Sequence, residues 1–152
     1  MGRKSHTRTL HCSMNGFPVG ELYLKNGRMS FKYSPDWLVV DGGRAISLSL
    51  PMQRAEITGD AVHAYFDNLL PDTTTIREHM KDRLGAESAR PFDLLAKVGK
   101  DCVGALTFTQ VPATGEMPAL SLTPLSEGEI AQIIRETRIE KMLGMNSDDD
   151  FR

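Results

Sequence analysis

The chain has 152 residues, 25% charged and 40% hydrophobic, with a formal net charge of −2. That length and balance fit one ordinary soluble domain with a real core, and they give no general reason to expect nucleic acid as the main partner. No run of about eighteen apolar residues occurs, so a transmembrane helix is excluded. The basic Met1-Gly2-Arg3-Lys4-Ser5-His6 is followed by no apolar stretch, so no signal peptide is expected.

In chain order, Thr7 to Ser13 alternates, with Leu10 and Cys12 on one face, and reads as a strand. Asn15-Gly16 predicts a tight hairpin, Phe17 to Leu24 the return strand, Asn26-Gly27 a second hairpin, and Arg28 to Tyr33 a third strand. The opening is therefore a three-stranded antiparallel meander. Ser34-Pro35 starts a short helical turn carrying Trp37, Leu38 and Val39, which Asp41-Gly42-Gly43 breaks. Ala45 to Leu50 alternates strictly and predicts a strand with Ile46, Leu48 and Leu50 inward, ended by Pro51.

Asp60 is placed to cap a helix on which Ala61, Val62, Tyr65, Phe66 and Leu69 recur at helical spacing. Pro71 must end that helix, and Asp72 is expected to cap the next, Thr73 to Leu84, closed by Gly85. Phe66-Asp67-Asn68-Leu69-Leu70-Pro71-Asp72 is thus an elbow between two helices. Asp67, Asn68 and Asp72 are its best polar cluster, expected to satisfy the corner's backbone and to make it a rigid docking point. Arg90-Pro91 opens a short helix with Phe92, Leu94, Leu95 and Val98, stopped by Gly99, and Val103 to Val111 reads as a strand. After a loop at Pro112 to Pro118, Ser126-Glu127-Gly128-Glu129 has capping-box spacing and starts a last helix with a narrow Ile130, Ile133 and Ile134 stripe. The acidic Asp148-Asp149-Asp150 reads as a solvated tail. Strands first, helices next, then a strand and a helix favour an α+β class: an antiparallel, curled sheet packed with several short helices.

Enzymatic templates fail. No G-x-x-x-x-G-K-[ST], G-x-G-x-x-G, G-x-S-x-G or H-E-x-x-H occurs. His6, His11, His63 and His79 are scattered; His63 and His79 sit on the two elbow helices and read as exposed. The acidic tail lacks the ligand order of a calcium loop. Cys12 and Cys102 read as reduced, and Arg3, Lys4, His6 and Arg8 as a solubilising arm. Phe31, Tyr33 and Trp37 read as core rather than base-stacking groups. No catalytic, cofactor-binding or metal-binding residue is expected.

Five segments together resemble the N-terminal region of HipA-type proteins, the kinase toxins of bacterial persistence toxin–antitoxin modules. They are Gly20-Glu21-Leu22; Phe31-Lys32-Tyr33-Ser34-Pro35-Asp36-Trp37-Leu38; Ile46-Ser47-Leu48-Ser49-Leu50-Pro51; the elbow heptapeptide; and Pro91-Phe92-Asp93-Leu94-Leu95 through Gly99, Asp101 and Gly104-Ala105. The resemblance runs from about Gly16 to Val111 and more loosely to Arg152, and Phe151-Arg152 resembles the lead-in to that family's ATP loop. It implies an arm with the first strand at 1–15, one domain at 16–145 and an acidic tail at 146–152. It also implies a non-catalytic, cytoplasmic docking module that packs on a kinase core and contacts a HipB-like helix-turn-helix antitoxin, with ATP and magnesium belonging to the kinase core. The alternative within the resemblance is a stand-alone HipS-like subunit restraining a HipT-like kinase; the alternative of another class is a small nucleic-acid or ligand binder. On the docking reading, an exposed apolar patch is expected at Ile130, Ile133, Ile134, Met142, Leu143 and Met145.

Overall fold

A computed structural model describes residues 7–99, 105–112 and 122–143, with side chains of the last helix followed to 136. The chain divides into two compact units, Met1–Pro118 and Ala119–Arg152.

The first unit is a five-stranded antiparallel sheet covered on one face by helices. Its strands are β1 (Arg8–Met14), β2 (Phe17–Lys25), β3 (Arg28–Tyr33), β4 (Ile57–Thr58) and β5 (Leu106–Thr109), in the order β4-β3-β2-β1-β5. The first three form the expected meander. Both Asn-Gly turns place two residues at positive φ, 52° and 83° at Asn15-Gly16 and 52° and 77° at Asn26-Gly27, which matches the twist of the flanking strands. Leu10, Leu22 and Phe31 stand opposite one another across the meander, and Cys12, Gly20, Tyr33 and Phe108 form the next rung. All but the glycine of these rungs point into the core. The other face carries Thr109, His11, Glu21 and Lys32 on one rung and Thr9, Tyr23, Ser30 and Thr58 on another, as expected for an antiparallel sheet with one solvated face.

Among the described residues, three helices join the sheet: α1 (Asp60–Asp67), α2 (Thr74–Leu84) and α3 (Pro91–Val98). Phe66 of α1 reaches across the sheet, its ring 5.7 Å from Phe31 and 5.8 Å from Phe108. Phe31 in turn meets Tyr33 edge-on at 5.0 Å. This aromatic column, with Val62, Leu70, Phe92, Leu94 and Leu95, is the buried centre of the unit. Gly20 lets β2 and β3 approach: a Cβ there would stand 2.3 Å from the Lys32 carbonyl oxygen and 2.8 Å from the Phe31 ring. The second unit contains α4 (Glu127–Leu143), which opens with the expected capping box. The Ser126 N–H donates to Glu129 Oε2 (2.7 Å) and the Glu129 N–H to Ser126 Oγ (3.4 Å).

Four expectations are corrected. Ala45–Leu50 is not a strand: Leu50 is fully buried, but Leu48 is wholly exposed, and Ser47 bridges only to Leu50. The serine hydroxyls account for this. Ser47 Oγ accepts from the Ser49 N–H at 3.2 Å, and Leu50 N–H reaches back to the Ser47 carbonyl at 3.1 Å, so local bonding wins over the alternating pattern. Asp60 does not cap α1; Gly59 occupies the cap position at φ 103°, where its backbone turns the chain directly from β4 into the helix. Asp72 does not cap α2 either: Thr73 stands there, without a side-chain cap bond. Arg8 belongs to no arm; it lies in β1 and packs its guanidinium over the Phe92 ring at 5.0 Å. The expected strand near Val103 is present as Leu106–Thr109, while Val103 itself and Cys102 lie outside the described residues.

The aromatic column sets two expected stability effects. Phe66→Ala should destabilise the chain by about 3–5 kcal/mol through loss of buried ring contacts. Gly20→Ala should cost about 1–3 kcal/mol through overpacking against backbone. Urea denaturation followed by circular dichroism measures both.

Candidate functional site

The elbow is a small polar structure built by a residue that the sequence pattern did not single out. Arg77, on the first turns of α2, folds back over the corner. Its Nη1 donates to Asp67 Oδ1 at 2.6 Å, its Nη2 to the Asp67 carbonyl at 3.3 Å, and its Nε to the Pro71 carbonyl at 2.5 Å. One planar guanidinium thus ties the end of α1, the proline and α2 together, which a lysine with its single ammonium could not do. Asp67 is therefore engaged in the corner, whereas Asn68, at the C-terminal cap of α1, and Asp72 are exposed. The three polar groups share one bend, and Arg77 takes hold of the Asp67 side chain there.

Two further anchors hold the loops of this unit. Tyr33, buried at the end of β3, donates its hydroxyl to the Leu50 carbonyl (2.6 Å) and accepts from the Ile46 N–H (3.0 Å). Burial raises the Tyr33 phenol above its ordinary range, and the Ile46 N–H opposes that rise. In the second anchor, the buried Asp93 carboxylate accepts from Arg8 Nη1 at 2.6 Å and from Ser88 Oγ at 2.5 Å, fastening α3 to β1. A charged residue inside Pro91-Phe92-Asp93-Leu94-Leu95 was the available signal: a buried carboxylate in an apolar run requires partners. Among the described residues, no buried side-chain polar atom lacks a hydrogen bond.

The remaining sequence candidates do not converge on chemistry. His63 and His79 are exposed on separate helices, and among the described residues no group of three or more histidines, cysteines, aspartates or glutamates is arranged to hold a metal. Phe31 and Tyr33 are core, and Trp37 packs against its margin. Ile130, Ile133 and Ile134 are exposed, at 44%, 39% and 62%. Met142 and Leu143 fall in α4 where side chains are not described, and Met145 and the acidic tail lie outside the described residues. On the solvated sheet face, His11 Nδ1 lies 3.2 Å from Glu21 Oε1, and Tyr23 donates its hydroxyl to the other Glu21 oxygen. Burial, reinforced by Glu21, pushes the Tyr23 phenol up to about 12. Among the described residues no helix is long and apolar enough to cross a membrane.

An open α+β sheet backed by an elbowed helix pair is an architecture that matches a known one. The model of the HipA N-terminal domain matches residues 10–109, and the chain belongs to that family. Two relatives from Sinorhizobium fredii (strain NBRC 101917 / NGR234) are similar to it. "Putative kinase Y4mE" is 31% identical over 132 residues, covering 84% of this chain and 31% of the relative. "Putative kinase Y4dM" is 30% identical over 105 residues, covering 64% and 25%. Among solved structures, one of HipA from Shewanella oneidensis MR-1, in a toxin–antitoxin complex with HipB and its operator DNA, superposes with a TM-score of 0.58. It shares 25% identity and covers 84% of this chain and 29% of that one. The chain thus spans about a third or less of the curated relatives it matches.

Two outcomes are expected. Arg77→Met should loosen the elbow and lower stability by about 1–3 kcal/mol, the range of hydrogen bonds made by a charged group, with Arg77→Lys restoring little of it; thermal melting of both variants checks this. Because the folded chain holds the Tyr23 proton more tightly than the unfolded one does, this contribution to stability is complete below pH 10 and is lost as pH rises towards about 12. Absorbance titration near 295 nm (about the tyrosinate band) should show a late-ionising component that shrinks by one tyrosine in Tyr23→Phe, with the raised Tyr33 phenol remaining.

Proposed function

We propose that this chain is a non-catalytic docking and regulatory module of a HipA-like serine/threonine kinase in a bacterial, cytoplasmic toxin–antitoxin system. On this reading it packs on the kinase core and contacts a HipB-like antitoxin. The observation that carries the proposal is the extent of the family match. Residues 10–109 take in the sheet but for the first two residues of β1, the elbow and α3, while this chain covers 31% of one kinase-named relative and 25% of another. What the matched segment contributes is a body whose interior polar groups serve rigidity, with ATP and magnesium assigned to the kinase core. The exposed isoleucines of α4 and the polar corner at Asp67, Asn68 and Asp72 are its candidate contact points.

A stand-alone subunit that restrains a separate kinase is the second reading. It is favoured by the closure of the first unit around its own core, from Leu10 to Phe108. Either way, the purified chain should show no phosphoryl transfer from ATP and should co-purify with the kinase core and antitoxin of its source. Autophosphorylation by the isolated chain would overturn the non-catalytic reading. Relief of kinase activity on removing the chain would select the restraining form over the structural one.

A further inference from the structure

The solvated face of the sheet carries an open groove of about 380 Å³, walled by Pro18, Pro35 and Pro112. Along it His11, Glu21 and Lys32 stand side by side on β1, β2 and β3. Glu21 and Lys32 are register partners, and opposite charges so placed ordinarily pair. Here they do not. Glu21 is taken by other groups, with Oε1 3.2 Å from His11 Nδ1 and Oε2 accepting from the Tyr23 hydroxyl. Lys32 therefore keeps an ammonium group with no ion pair or hydrogen bond among the described residues. A second group is equally uncommitted. Ser13, between the core-facing Cys12 and Met14, is only 5% exposed, and its hydroxyl has no partner among the described residues. No enclosed side-chain polar atom among them lacks a bond, so the Ser13 oxygen is open to the groove it lines.

The geometry points to a small-molecule site in this groove that takes a singly charged organic acid, with its carboxylate on Lys32, its apolar body against the prolines and a hydrogen-bonding atom on Ser13. A cation without a counter-ion recognises an anion, and charge-assisted hydrogen bonds are the stronger kind. Glu21 adds one negative charge beside Lys32, and its repulsion falls harder on a phosphate dianion than on a single carboxylate. Lys32 is the lone uncommitted cation of the groove among the described residues. A nucleic-acid strand, which calls for a row of cations and aromatic faces, therefore fits poorly. The volume lies near the lower end for small-ligand pockets, which combine mostly apolar walls with a few convergent polar groups. The site stands whether or not the chain docks on a kinase.

The test titrates benzoate and hexanoate separately into the purified chain and follows the backbone amides by NMR. Each acid should shift the amides of Ser13, Glu21 and Lys32 saturably, with dissociation constants on the order of millimolar. Lys32→Gln should weaken both about fivefold, a loss set by a charged but partly screened contact. Its melting temperature should stay unchanged, because the side chain is exposed. Ser13→Ala should weaken both about threefold, the loss of one neutral hydrogen bond. Glu21→Gln, which lifts the repulsion, should tighten both acids and admit inorganic phosphate, which the wild type should bind less tightly than either. No saturable shift with either acid would overturn the site, as would Lys32→Gln binding within about twofold of wild type. Wild-type preference for phosphate, or equal binding of uncharged benzyl alcohol, would contradict the carboxylate assignment.

Discussion

Everything in the first unit depends on Phe66 reaching the middle of the sheet. Its ring touches Phe31 on β3 and Phe108 on β5, strands separated by β2 and β1, so a single side chain from α1 spans the width of the core. That reach requires α1 to lie at one angle, and the angle is set at the elbow. Pro71 ends the helical path, and the Arg77 guanidinium takes the acceptors exposed at the bend. The corner that looks like a polar surface feature is thus a mechanical part of the interior packing.

The same economy recurs where polar groups are buried. Tyr33 uses its hydroxyl as both donor and acceptor to hold the loop that follows β3, and Asp93 uses both carboxylate oxygens to fasten α3 to Arg8 and Ser88. Buried polar groups are tolerated when fully partnered, and such networks fix one arrangement over its competitors. What results is a body in which even the loops are specified.

Much of this was legible in the sequence, and the failures have physical causes. Asn15-Gly16 and Asn26-Gly27 announced the meander because few residue pairs tolerate two successive positive φ values. Pro91 and Gly99 bounded α3, and Ser126 with Glu129 announced α4. The alternation of Ile46, Leu48 and Leu50 misled because its serines bond locally and because Tyr33, thirteen residues before Ile46, supplies the long-range anchor. β4 is two residues long, too short for any period to register. The elbow's polar residues were visible as a cluster, but the arginine that holds Asp67 lies ten positions beyond it, one helix further on. Family resemblance was legible because whole segments, rather than single residues, carried it, and it led to the same α+β sheet that the structure shows.

The proposal that this chain acts by being held against another protein rests on its membership in the HipA N-terminal domain family, its braced scaffold and its outward-facing aliphatic side chains. Hydrogen–deuterium exchange of the chain, alone and mixed with the kinase body, tests that claim most directly. The account predicts slowed exchange confined to surface segments, above all the corner from Asp67 to Asp72 and α4, with the amides of β1 to β3 already protected and unaltered. Identical exchange in the two samples would contradict it, as would protection brought about by ATP alone.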